Sequence, residues 1–196
     1  MKALVTYYSQ TGNTEKLARA IYDAIHFDKE LLRIQDVKSS KGYDIIFVGF
    51  PVQAHSVPAA VHPFFKNLPD KQPIALFCTH GSIRGGHLPK QAIEHAIGLA
   101  SRAKVLGTFG VRGKVNPKVI DALMTTLQHQ AWAEEAQGAI DHPTDADLAD
   151  GKTFAKGILA KQTWVKEAQG AVDHPTDADL ADGKAFAKSI LNKIGH

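Results

Sequence analysis

Apolar positions along this chain follow two alternating rhythms. Residues 4–8 form a run rich in β-branched and aromatic residues, and Leu17, Ala18, Ile21, Ala24 and Ile25 then recur at helical spacing. The alternation continues. Residues 30–34 read as a short strand, 44–50 as a strand buried on both faces, 59–66 as a short helix, and 73–79 as another buried strand. Residues 89–101 form an amphipathic helix with Pro89 in its first turn, 104–111 a fifth strand, and 117–127 a helix carrying Val119, Ile120, Leu123, Met124 and Leu127. Strands alternating with helices predict an α/β fold, a doubly wound five-stranded parallel sheet covered on both faces.

The polar residues concentrate where strands end. Loops 9–14, 51–58 and 79–88 leave the first, third and fourth strands, and ligands of open parallel sheets bind at that edge. The first loop reads S-Q-T-G-N-T and opens directly into a helix. A helix start offers unpaired N–H groups and the positive end of its dipole. Ser9, Thr11, Asn13 and Thr14 add donors, and Gly12 permits close backbone approach. An ordinary strand-to-helix turn needs one capping residue; this one reads as a phosphate cradle without a lysine or arginine.

Composition narrows the classes. An apolar fraction of 44% and a charged fraction of 22% are those of a globular protein with a sizeable core. No run approaches the roughly 20 apolar residues of a membrane span, and the chain enters a strand at once, which leaves no room for a signal peptide. A single cysteine precludes an internal disulfide, so a cytoplasmic setting is expected. A net charge of +3 with ten histidines is too weak a bias to suggest nucleic acid.

The C-terminal part is duplicated. Residues 132–161 recur as 164–193, offset by 32, with E-A-Q-G-A-[IV]-D-H-P-T-D-A-D-L-A-D-G-K-[TA]-F-A-K in common. Each copy holds a helix start, Thr144 or Thr176 with an aspartate three residues on. Each then carries one apolar stripe: Leu148, Phe154, Ala155, Ile158 and Leu159, or Leu180, Phe186, Ala187, Ile190 and Leu191. Two copies do not make a solenoid. The expected division is a domain over 1–161 and a helical appendage over 162–196 that repeats 130–161. Both copies suit the same groove on the sheet, so either could close the domain; the spare copy is expected to dock on another protomer, giving a homo-oligomer, or to pack on its twin, unless the duplication is recent and neutral.

With its strand ending T-Y-Y, the first turn resembles the phosphate loop of the flavodoxin family, [ST]-x-T-G-x-T, at Ser9, Thr11, Gly12, Asn13 and Thr14. The order of elements over 1–161 is similar as well. The resemblance implies strand order 2-1-3-4-5 and non-covalently bound FMN, its phosphate held by Ser9, Gln10, Thr11, Gly12, Asn13 and Thr14. Pro51, Val52, Gln53, Ala54 and His55 on one side, and Thr79, His80, Gly81, Ser82 and Gly86 on the other, would flank the flavin ring. Family members usually stack an aromatic residue on the flavin; these loops offer only His55, His80 and His87, with Phe50 at a strand end. The implied activity is electron transfer between redox partner proteins. An FMN-dependent NAD(P)H reductase of a small acceptor such as a quinone is the alternative.

Other motifs are weaker. C-T-H-G-S-I-R, from Cys78 to Arg84, matches the C-x5-R frame of cysteine phosphatases, where a thiolate attacks a cradled phosphate. No aspartate stands nearby as an acid, and a buried apolar cysteine is the competing reading. Residues 107–114 lack the frame of a nucleotide P-loop; 110–113 read as an exit turn with Arg112 near a ligand or in solvent. Asp145, Asp147 and Asp150 lack calcium-loop spacing and read as helix N-terminal acids. No histidine pair has metal-ligand spacing beside a carboxylate.

Overall fold

The molecule is represented by a computed structural model that describes residues 1–83, 85–125 and 127–170. Arg84 of the C-x5-R frame therefore lies outside the described residues. So do the second copy's cap at Thr176 and its apolar stripe from Leu180 to Leu191. The chain divides into two compact units, Met1–Ile158 and Leu159–His196.

Five strands form the sheet: β1 (Lys2–Tyr7), β2 (Asp28–Arg33), β3 (Ile45–Pro51), β4 (Pro73–His80) and β5 (Lys104–Arg112). They pair in parallel in the order β2-β1-β3-β4-β5, as the resemblance implies. The apolar runs become the central strands because both their faces are covered. Leu4, Ile46, Val48, Phe50, Ile74, Leu76 and Cys78 pack in one cluster with Phe65 of α2 (His62–Lys66) and Ala96 of α3 (His87–Leu99). Alternate residues meet α1 (Asn13–Asp23) and the first half of α6 (Asp145–Gly170) on the opposite face. There Phe154 stacks on Phe109 at 5.2 Å and takes Phe47 edge-on at 6.4 Å.

The start of α6 is the predicted cap. The Thr144 hydroxyl oxygen accepts the Asp147 N–H at 3.3 Å, and Asp147 Oδ2 accepts the Thr144 N–H at 2.8 Å and its hydroxyl at 2.9 Å. His142 Nδ1 lies 2.6 Å from the same oxygen. Burial works to raise the Asp147 pKa, but these hydrogen bonds outweigh it and hold the carboxyl below its usual value.

One expectation fails. Residues 117–127 are not one helix but two, α4 (Pro117–Met124) and α5 (Leu127–Gln137). Thr125 ends the first by turning its hydroxyl back to the Ala122 carbonyl at 2.7 Å. The second escapes a periodicity reading because what it buries is alanine. Ala133 and Ala136 join Ile120 of α4 in a small core.

Candidate functional site

The first turn is shaped before any ligand arrives. Gly12 takes φ 86°, the left-handed region that favours glycine, and its N–H donates to Ser9 Oγ at 3.1 Å. Its carbonyl accepts the Lys16 N–H at 2.9 Å, starting α1, yet no side chain caps that helix. The N-terminal amides and the dipole are thus left for an anion in the turn.

The three loops named from sequence do converge, and side-chain hydrogen bonds tie them together. Gln53 donates to the Gln10 side-chain oxygen at 2.9 Å, and Gln10 donates to the Tyr8 hydroxyl at 2.9 Å. The hydroxyls of Thr14 and Thr79 share a hydrogen bond of 2.8 Å, buried between α1 and the end of β4. Asn13 donates to the Lys114 carbonyl at 2.8 Å, which brings in a fourth segment, the exit from β5. The side chains of Gln10, Asn13 and Thr14 therefore position the cradle. Ser9, Thr11 and the backbone remain to meet the phosphate.

Two cavities meet at Val52, His80 and Gly81. One, of about 250 Å³, is lined by Gln10, Thr11, Asn13, Pro51, Gln53, Thr79 and residues 113–116. The other, of about 360 Å³, is walled by Ala54, His55, Ser82, Leu88, Leu123, His129 and Trp132. Among the described residues lining them there is no Asp, Glu or Cys, which suits a dianion. Lys114 on the rim supplies the cation that the turn lacks. A larger cavity, of about 630 Å³, lies between α2 and residues 34–41 and does not include the turn.

The loop after β3 is a two-residue hairpin. Gln53 and Ser56 exchange N–H···O bonds of 3.0 and 2.9 Å, with Ala54 at φ 45° and His55 at φ 61°. Such mirror-image turns usually use Asn-Gly; two residues with side chains here imply backbone strain. Helices hold the loop down: His95 of α3 lies 2.5 Å from the Ser56 hydroxyl, and His62 of α2 donates to the Val57 carbonyl at 3.1 Å.

The loop after β4 is gripped from above by α5. Trp132 Nε1–H donates to Ser82 Oγ at 3.0 Å, and the Ile83 N–H donates to the Glu135 carboxylate. Arg112 is half-buried and turns its guanidinium to backbone carbonyls. It donates to the carbonyls of Gly138 at 3.0 Å, Gly81 at 3.4 Å, and Glu135. The turn after β5 accordingly begins at Gly113, not at Gly110. Gly86 also departs from expectation: it precedes α3, donates to the Ile83 carbonyl at 3.0 Å and lines neither cavity. Trp132, Leu123, His129 and Lys114 were missed. Trp132 of α5, not a residue of the flanking loops, is the aromatic side chain in the wall of the larger of these two cavities, and its only sequence signal is its place at the head of the repeat.

The phosphatase reading fails. Cys78 lies inside β4 with no exposed surface, and burial pushes its thiol up to about 12, so it holds no thiolate at neutral pH. Among the described residues no cluster of His, Cys, Asp or Glu could hold a metal, and no helix is long and apolar enough to cross a membrane.

An uncapped helix start at the strand ends of a 2-1-3-4-5 sheet, beside a cavity with no acid among its described lining residues, fits a phosphate-binding doubly wound domain. The sequence pattern of the flavodoxin domain matches residues 4–156, and the chain belongs to the flavodoxin family. It is therefore an FMN-dependent redox protein, and the residues at the strand ends fit that cofactor. It is 27% identical over 173 residues to the flavodoxin-like domain-containing protein BilS of Clostridioides difficile (strain CD3), covering 82% of this chain and 98% of that one. Among solved structures it is similar to a flavodoxin from the domain Archaea (TM-score 0.56, 20% identity, 83% of this chain and 99% of that one). It is also similar to oxidised Flavodoxin 2 from Bacillus cereus (TM-score 0.54, 17% identity, 82% and 99%).

Proposed function

We propose that the protein is an FMN electron carrier shuttling electrons between cytoplasmic redox partner proteins. The observation that carries this reading is the pair of cavities joined at Val52, His80 and Gly81. One starts at the uncapped head of α1, and neither has an acid or a thiol among its described lining. The flavin, when bound, supplies the electron or hydride transfer. The α1 amides and Lys114 would hold its phosphate. The loops carrying Val52 to His55 and His80 to Ser82 would flank its ring, and Trp132 would roof the same space. Backbone groups of those loops would set the environment of the ring nitrogens.

The roof also favours a second reading. Trp132, His129 and Leu123 enclose space beside the flavin loops in which a small flat acceptor could sit, as an FMN-dependent NAD(P)H reductase requires. One preparation tests both. The purified protein, as isolated or after reconstitution with FMN, should show flavin absorbance; a protein that cannot take up FMN sinks both readings. Rapid oxidation of NADH or NADPH by the loaded protein, with a quinone as acceptor, would replace the carrier by the reductase.

A further inference from the structure

We propose that the seat occupied by residues 132–158 also accepts the second copy of that sequence, residues 164–190 of the same chain, so that the domain closes in either of two registers. This inference does not depend on the flavin reading.

The contacts that seat the first copy are specific. Trp132 bonds Ser82, Glu135 takes the Ile83 N–H, and Arg112 binds the carbonyls of Glu135 and Gly138. His142, Thr144 and Asp147 build the cap. Gly151 lies against Leu17, whose Cδ1 would stand 2.6 Å from an added Cβ. Phe154 stacks on Phe109, and Ile158 fills the space above Gly107, where an added Cβ would meet its Cδ1 at 2.7 Å. Each of these positions has an identical counterpart: Trp164, Glu167, Gly170, His174, Thr176, Asp179, Gly183, Phe186 and Ile190.

The copies differ at Ala133/Val165, Glu134/Lys166, Ile140/Val172, Thr153/Ala185, Gly157/Ser189 and Ala160/Asn192. In the first copy all of these are exposed except Ala133, which is fully buried. The seat can therefore distinguish the two copies at one buried position, where Val165 would overpack the small core of Ile120 and Ala136. Chain connectivity adds to this. With α4 in place, changing register lengthens the connection from α4 to the seat from residues 125–131 to residues 125–163, which costs roughly thirteenfold in the equilibrium. The first copy holds the seat through Ala133 and its shorter connection, and the second is a competent replacement.

Urea unfolding of the full-length protein tests this. Phe154→Ala should lower the folding equilibrium constant strongly. In a chain that also carries Val165→Ala, the same substitution should cost only about fourteenfold, because the second copy takes over. Adding Phe186→Ala should abolish that rescue and bring the loss above about a hundredfold. If Phe154→Ala leaves the protein unfolded, recovery of the folded state on adding Val165→Ala supports the proposal equally. The proposal is overturned if Phe154→Ala costs the same with and without Val165→Ala while Phe186→Ala is silent. It is equally overturned if rescue depends on concentration and light scattering shows a doubled mass, since the occupant would then come from a second chain.

Discussion

The hydrogen bond between Thr14 and Thr79 joins the start of α1 to the end of β4 at the centre of the proposed cofactor site. Thr14 is 1% exposed and Thr79 is 3% exposed, so water cannot replace either partner. Thr79→Val keeps the side-chain shape and strands the Thr14 hydroxyl. Leaving a buried polar group unpaired costs about 1–3 kcal/mol, and near-complete burial argues for about 2. Thr14→Val should cost a similar amount. The double substitution replaces both partners by apolar groups of the same shape, which is nearly neutral. Each single variant should lose roughly 4–8 °C in Tm and the double variant little, a coupling of about 4 kcal/mol. FMN titration followed by fluorescence should track this order, because the bond fixes the amides at the head of α1 relative to the β4 loop. Additive losses in the double variant would show that the hydroxyls do not depend on each other and that the cradle is not held by this bond.

Thr6 Oγ1 is buried with no hydrogen-bond partner among the described residues, so Thr6→Val should stabilise the protein by about 1–2 kcal/mol. A lower urea midpoint would show a partner that the geometry misses. Cys78 should resist a disulfide reagent in the folded protein and react fully once it is unfolded. Between an ordinary thiol at 9.0 and the folded thiol at about 12, the native state keeps a proton that the unfolded chain releases. Stability should therefore fall as pH rises through that window, and Cys78→Ala should remove this component of the fall. Arg112→Lys replaces a planar fork that serves three carbonyls with a single ammonium, and should cost about 2–3 kcal/mol and weaken FMN binding. Unchanged FMN affinity would mean that α5 does not roof the site.

The strands and the first turn were legible because each is a local pattern, an unbroken apolar run or a polar turn before a helical stripe, whereas the strand order followed only from the family resemblance of that turn. The site beyond the turn was only half legible. Asn13 meets Lys114 across 101 residues of sequence, and no local period encodes that contact. Trp132 reaches Ser82 only because α5 folds back on α4, a break set by Thr125 and hidden by a helix that buries alanines. Arg112 looked free because backbone carbonyls, the partners it finds, are present at every position of a sequence. Gly86 precedes α3 and lines neither cavity, since a glycine near a site starts a helix as readily as it approaches a ligand.

Gly49 and Phe77 face each other in register on β3 and β4, and the ring lies over the glycine so closely that an added Cβ would stand 2.1 Å from Phe77 Cε2. Neither position can drift alone. A side chain at 49 must wait for a smaller residue at 77, while shrinking Phe77 first opens a void of the kind that costs about 3–5 kcal/mol. Both single steps pass through a damaged protein, so descendants of this sequence should carry the pair together or lose it together. Because β3 leads directly into the hairpin at Ala54 and His55, this locked pair limits how far evolution can remodel that loop from beneath.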